Sequence, residues 1–207
     1  VLARTFDVTT GTLVEMPIVE WQSRRGWAQY TLVIMGDSDL GKTQLALTLM
    51  GLITGEIFLE TNGRHYALKL ETMEGLQAGV KAGVLKRGVG LVFDDIDPGK
   101  VRGTRKGATL EDVRSITEVT TTTTMHARFA DITLHECQPR VFTTNAVTPD
   151  EWHSGLPAQA LFTSDAVRRG YSGVVKSVFK RCLFAQVSHS LIPDRLRADY
   201  AEKRRRA

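Results

Sequence analysis

Gly36-Asp37-Ser38-Asp39-Leu40-Gly41-Lys42-Thr43 decides the reading of this chain. Before it, Tyr30-Thr31-Leu32-Val33-Ile34-Met35 is an apolar run that suits a buried strand. After it, Thr43-Gln44-Leu45-Ala46-Leu47-Thr48-Leu49-Met50 suits a helix. The octet fits G-x-x-x-x-G-K-[ST], the phosphate-binding loop of nucleoside triphosphatases. A strand, a glycine-bounded loop and a helix turn that pattern into a mechanism. Backbone N–H groups between Gly36 and Gln44 are expected to wrap phosphates, with the positive end of the helix dipole facing them. Lys42 is expected to reach the β- and γ-phosphates, and the Thr43 hydroxyl to ligate Mg²⁺. ATP and Mg²⁺ are therefore the expected cofactors.

The 207 residues suffice for one core, or one core with a small appendage. No apolar run is long enough to cross a bilayer, and no charged segment followed by an apolar one marks secretion. The first residue is Val1 rather than an initiator Met, which suggests a domain excised from a longer protein. Cys137 and Cys182 are the only cysteines, too few for a disulfide framework or a zinc site, and point to a reducing compartment. The net charge of +4 permits a polyanionic partner. Part of it lies in Lys203-Arg204-Arg205-Arg206, which reads as a solvated tail, a DNA contact or part of a nuclear-import signal.

Elsewhere, apolar runs alternate with helical patterns. Residues 1–29 are weakly patterned around Trp21 and Trp27, as in a linker or an oligomerisation lead-in. Strands are expected at 55–59, 66–70, 89–93 and 140–144, with a turn at Asn62-Gly63. Helices are expected at 71–86, 109–116, 164–169 and 194–203, a loop at 99–107, and a strand or loop in the threonine run 120–124. Such alternation predicts an α/β fold with a mostly parallel sheet and helices on both faces. The expected division is a lead-in over 1–29, a nucleotide-binding domain over 30–193 and a basic tail over 194–207.

A phosphate loop needs an acid at the end of a neighbouring strand, and Leu91-Val92-Phe93-Asp94-Asp95 supplies two. They emerge where open α/β sheets place ligands. Asp94 is assigned to the metal and Asp95 to the attacking water; the reverse order fits the sequence equally. Val141-Phe142-Thr143-Thr144-Asn145 ends a third buried strand in an amide. Asn145 can hydrogen-bond the attacking water or the γ-phosphate without adding a repelling charge, or it can cap a following helix.

In this order, the loop, Phe93-Asp94-Asp95-Ile96-Asp97 and Pro139-Arg140-Val141-Phe142-Thr143-Thr144-Asn145 resemble the superfamily 3 helicase domain, an AAA+ relative. The match extends from about Tyr30 to Pro193 and is nearest the replication-initiator (Rep) proteins of circular single-stranded-DNA viruses. The resemblance implies an AAA+-like fold, a homo-oligomeric ring, usually hexameric, and ATP hydrolysis between subunits. It also implies rolling-circle replication, 3′-to-5′ travel on single-stranded DNA, and an intracellular place in the host nucleus. An arginine finger from a neighbouring subunit is implied in Val178-Phe179-Lys180-Arg181-Cys182-Leu183-Phe184, with Arg181 the choice and Arg168 and Arg169 the competitors. A basic hairpin in the ring pore is implied between the second and third motifs, with Arg128 and His126, and with Lys106 and Arg105 as further DNA contacts.

Two departures stand out. Asp39 replaces a small residue common in that family's loop, and Asp37 adds a second acid, so nucleotide affinity is expected to be modest unless both point outward. His65, His126, His135, His153 and His189 lack paired-ligand spacing, so no nicking activity is expected. A nucleotide-gated oligomerisation and DNA-binding module with little hydrolysis is the second reading. A small-molecule phosphotransferase is a third, and it lacks an arginine-rich lid.

Overall fold

The computed structural model describes residues 2–7, 12–54, 67–71, 73–95, 110–125, 131–145 and 180–191. In chain order the elements are β1 (Leu2–Asp7), β2 (Thr12–Pro17), α1 (Ile18–Ser23), β3 (Thr31–Met35), α2 (Lys42–Thr54), β4 (Ala67–Leu70), α3 (Met73–Lys81), β5 (Gly90–Phe93), α4 (Leu110–Thr117), β6 (Thr123–Met125), β7 (Ile132–Leu134), β8 (Arg140–Thr144) and β9 (Cys182–Gln186). A single 3₁₀ turn at Gly26–Ala28 joins α1 to β3.

Among the described residues, seven strands form one sheet in the order β2-β1-β9-β3-β8-β5-β4. The five from β9 to β4 are parallel, and β1 and β2 are antiparallel additions at one edge. This is the α/β architecture expected from the sequence. β3, β5 and β8 are buried at every position, as strands covered on both faces must be. Cross-strand register sorts their side chains into two faces. Leu32 and Ile34 share one face with Val92, Val141, Leu183 and Ala185, and Ala46, Leu49 and Met50 of α2 pack there with Trp21 and Ile18 of α1. The other face carries Val33, Phe93, Phe142 and Phe184, and Arg140 on that side reaches the end of α4.

Two expectations are corrected. Residues 2–7 and 12–17, which the sequence presents as a weakly patterned lead-in, form two strands of the main sheet, with Ala3 opposite Ala185 of β9. Their partner lies almost at the other end of the chain, so local pattern gives no sign of the pairing. The helix expected over 71–86 is shorter, because Gly83 at φ +66° follows α3 in a left-handed turn that ends it. The strand expected at 55–59 and the helices expected at 164–169 and 194–203 lie outside the described residues.

Candidate active site

Parallel strands bring their carboxyl ends to one rim, so Gly36, Asp94 and Asn145 leave β3, β5 and β8 side by side. β8 stands between the other two, and stacked rings of Phe93 and Phe142, 4.2 Å apart at 7°, sit just before the polar residues emerge. Gly36 has φ +149°, and a Cβ there would overlap the Val187 carbonyl where the chain leaves β9. Only glycine fits that close approach. Gly41, at φ +85°, turns the chain into α2, and its carbonyl accepts the Leu45 N–H at 3.0 Å. Between them Asp37, Ser38 and Asp39 are exposed, and Leu191 donates its N–H to the Leu40 carbonyl at 2.9 Å. Asp39 holds φ +64°, a left-handed conformation that aspartate tolerates better than most residues.

Lys42 is only 6% exposed and turns its ammonium back into the loop. Nζ donates to the Gly36 carbonyl at 2.8 Å, to the Asp37 carbonyl, and to Asn145 Oδ1 at 2.7 Å. Asn145 Nδ2 in turn donates to Asp95 Oδ1 at 2.9 Å. The amide therefore bridges the loop lysine and the second acid. The first acid is held from α2 and from β8: Asp94 Oδ1 accepts the Thr43 hydroxyl, and the Thr143 hydroxyl at 2.8 Å. Asp95 takes φ +53°, and its N–H donates to Thr143 Oγ1 at 3.0 Å. Lys42, Thr43, Asp94, Asp95 and Asn145, dispersed over a hundred residues of sequence, thus form one hydrogen-bonded group.

Burial pushes the Lys42 ammonium below its ordinary pKa, against the pull of Asp95, Asp37, Asp39 and Asp94. Burial would raise Asp94, but hydrogen bonds from Thr43, Lys69 and Thr143 outweigh it and hold the carboxyl below its usual range. The site thus sets the Lys42 ammonium, held by two carbonyls and an amide, near an Asp94 carboxyl held by two hydroxyls and the Lys69 ammonium. Among the described residues no three His, Cys, Asp or Glu side chains gather to hold a metal by themselves. Mg²⁺ does not need such a cluster, since one or two carboxylates with phosphates and waters suffice. The Thr43 hydroxyl touching Asp94 beside the glycine-bounded loop fits that requirement.

Other expected residues lie elsewhere. Arg181 precedes β9 at the amino ends of the strands, where Cys182 pairs with Thr31, so in its own chain it is at the rim opposite the loop between β3 and α2. Its Nε donates to Glu118 Oε2 in a partly buried ion pair. Arg105, Lys106, His126, Arg128, Arg168 and Arg169 lie outside the described residues. The interval that holds His126 and Arg128 is flanked by β6 and β7, paired antiparallel with Met125 opposite Ile132. Sequence reasoning passed over Thr143 and Lys69. A hydroxyl in a buried strand one register step beyond the paired phenylalanines was the available sign of Thr143. For Lys69, 2.9 Å from Asp94 Oδ2, there was none.

No helix among the described residues is long and apolar enough to cross a membrane. No protein-family model matches the chain, and no curated protein does. Among solved structures, the chain is similar to JCV helicase in a crystal structure with a thiazolopyridinyl-phenoxyphenyl acetamide bound. The identity is 17% and the TM-score 0.35, over 74% of this chain and 43% of the helicase chain. This chain therefore spans less than half the length of that protein, and a likeness so slight assigns no activity; the functional reading rests on the site itself.

Proposed function

We propose that this chain is an ATP-hydrolysing motor domain, the DNA-helicase part of a Rep-type replication initiator that moves single-stranded DNA through a ring of its own copies. The observation that carries the reading is the bridge from Lys42 through Asn145 to Asp95 beside the contact of Thr43 with Asp94. The roles follow from chemistry. Lys42 and the loop N–H groups bind the phosphates. Thr43 and Asp94 would hold Mg²⁺, which when bound offsets phosphate charge and orients the γ-phosphoryl group. Asp95 accepts a proton from, or orients, the attacking water, and Asn145 fixes the acid's direction. Binding by the free chain requires Lys42 to exchange its three protein acceptors for phosphate oxygens. In the proposed assembly Arg181 leaves Glu118 and serves the site of a neighbouring copy, where a planar cation stabilises charge spread over the transferring group. His126, Arg128, Arg105 and Lys106 are proposed to line the DNA path.

The test separates binding from turnover. Lys42→Ala abolishes binding of a fluorescent ATP analogue, whereas Asp95→Asn keeps binding and loses turnover. Normal hydrolysis by Lys42→Ala would remove the assignment. The exposed acids of the loop favour a second reading, a nucleotide-gated DNA-binding scaffold. Single-stranded DNA stimulates steady-state hydrolysis by a motor and leaves a scaffold's rate unchanged.

A further inference from the structure

Asp94 is shared between two sides of the site. Its Oδ1 faces the hydroxyls of Thr43 and Thr143. Its Oδ2 is bonded by the Lys69 ammonium at 2.9 Å. Lys69 belongs to β4, the outermost parallel strand among the described residues, whose register with β5 places Leu70 opposite Phe93. The Asp94 N–H donates to the Leu70 carbonyl at 2.7 Å, which carries that register one residue past the strand and brings Lys69 and Asp94 together. On its other side Lys69 bonds Glu71 Oε1 at 3.1 Å. The ammonium therefore stands between two carboxylates, one in the candidate metal site and one outside it, and its side chain is 42% exposed.

We propose that Lys69 is a positioning residue that acts through Asp94. Its ammonium occupies Oδ2 as a built-in counter-cation, leaves only Oδ1 directed at the phosphate loop, and so sets the concentration at which Mg²⁺ enters with the nucleotide. The inference rests on the ATPase reading. A divalent cation beside Thr43 competes with the ammonium for the charge of one carboxylate. Lys69 thus weakens metal retention while holding the carboxyl in a fixed orientation. Glu71 draws Lys69 outward and tempers that competition.

Two substitutions shift the balance in opposite directions. Lys69→Met frees Oδ2 and lowers the Mg²⁺ concentration at half-maximal binding of a fluorescent ATP analogue. Glu71→Gln leaves Lys69 on Asp94 alone and raises it. Each shift is about three- to fivefold, the range of a half-exposed ion pair. Lys69→Arg, which keeps the charge, stays near the parent. Mn²⁺ binding with ADP, followed by electron paramagnetic resonance, reads the same order of affinities without turnover. Equal metal dependence in the parent, Lys69→Met and Glu71→Gln, with analogue bound by all three, would overturn the role of Lys69 alone. So would a raised metal requirement in Lys69→Met. A parent protein that binds neither analogue nor Mn²⁺ would overturn the ATPase reading and this inference together. If Lys69→Met does not fold, Glu71→Gln and Lys69→Arg decide the matter by the same measurement.

Discussion

Replacing Arg140 with Met tests how the strand that carries Asn145 is fixed at its far end. Arg140 is fully buried in β8. Its Nη1 donates to the carbonyls of Ser115 at 3.0 Å, Ile116 at 2.9 Å and Glu118, and its Nη2 to the His135 carbonyl at 3.1 Å. The first two carbonyls belong to the last turn of α4, where helix carbonyls lack partners within the helix. One guanidinium therefore ties α4, the segment after β7 and the central sheet. Burial pushes its pKa down to about 10, against the pull of Glu118, so it stays charged at neutral pH. Met fills much of the volume but donates nothing. Four carbonyls lose a donor, at about 1 kcal/mol each where water has partial access. Removing a buried charge, whose Nε–H has no partner among the described residues, returns about 1 kcal/mol. The net loss is about 3 kcal/mol, a large part of a typical domain's 5–15 kcal/mol. It lowers Tm by roughly 6–12 °C for a domain of this size. Equilibrium urea unfolding measures it, and amide exchange quickens in α4. A variant within about 1 kcal/mol of the parent would show that the carbonyls find other donors and that the clamp is not what fixes α4.

Three further outcomes follow from the site and its surroundings. Asn145→Ala removes the bridge between Lys42 and Asp95, so kcat falls by roughly 10² while nucleotide binding changes only a few-fold; a matching loss in binding would make Asn145 a phosphate ligand instead. Asp39→Gly relieves the left-handed backbone and removes a carboxylate from the loop, so the Kd for nucleotide falls by about fivefold, with the difference shrinking as salt is raised; titrations at two ionic strengths measure it, and weaker binding would refute it. Glu118 is held below its ordinary range: burial opposes this, and hydrogen bonds from Thr120 and Arg181 outweigh burial. A depressed carboxyl binds fewer protons folded than unfolded, so its contribution is complete above the unfolded value of about 4 and disappears as pH falls through the lower folded value. Glu118→Gln should therefore be less stable than the parent near neutrality, and the two should converge in acid. A constant gap across that range would mean the loss is one of packing rather than charge.

What the sequence disclosed tracks how local each signal is. Gly36, Gly41, Lys42 and Thr43 lie within one loop, and their spacing encodes a local conformation. Asp94 and Asn145 were legible because each ends a run too apolar to be anything but a covered strand, and parallel strands covered on both faces end at one rim. Arg140 was visible only as part of a phrase, since an arginine in a chain is ordinarily solvent-facing and its acceptors come from two other segments. Lys69 sits in the alternating stretch Ala67-Leu68-Lys69-Leu70, which marks a strand edge. Its meeting with Asp94 depends on the register of β4 with β5, which neither strand encodes alone. The first two strands were missed for the same reason on a larger scale, because β1 is completed by β9.

The placement of β3 between β8 and β9 has a consequence for synthesis. When the ribosome has made the loop between β3 and α2, neither strand that flanks β3 exists; the first, β8, arrives roughly a hundred residues later, and β9 later still. At roughly 5–20 residues per second, an apolar ribbon with two bare edges waits several seconds or more, open to pairing with any passing strand. The group of Lys42, Asp94, Asp95 and Asn145 therefore assembles only after β8 has emerged, and until then Thr31–Met35 is an uncovered apolar segment.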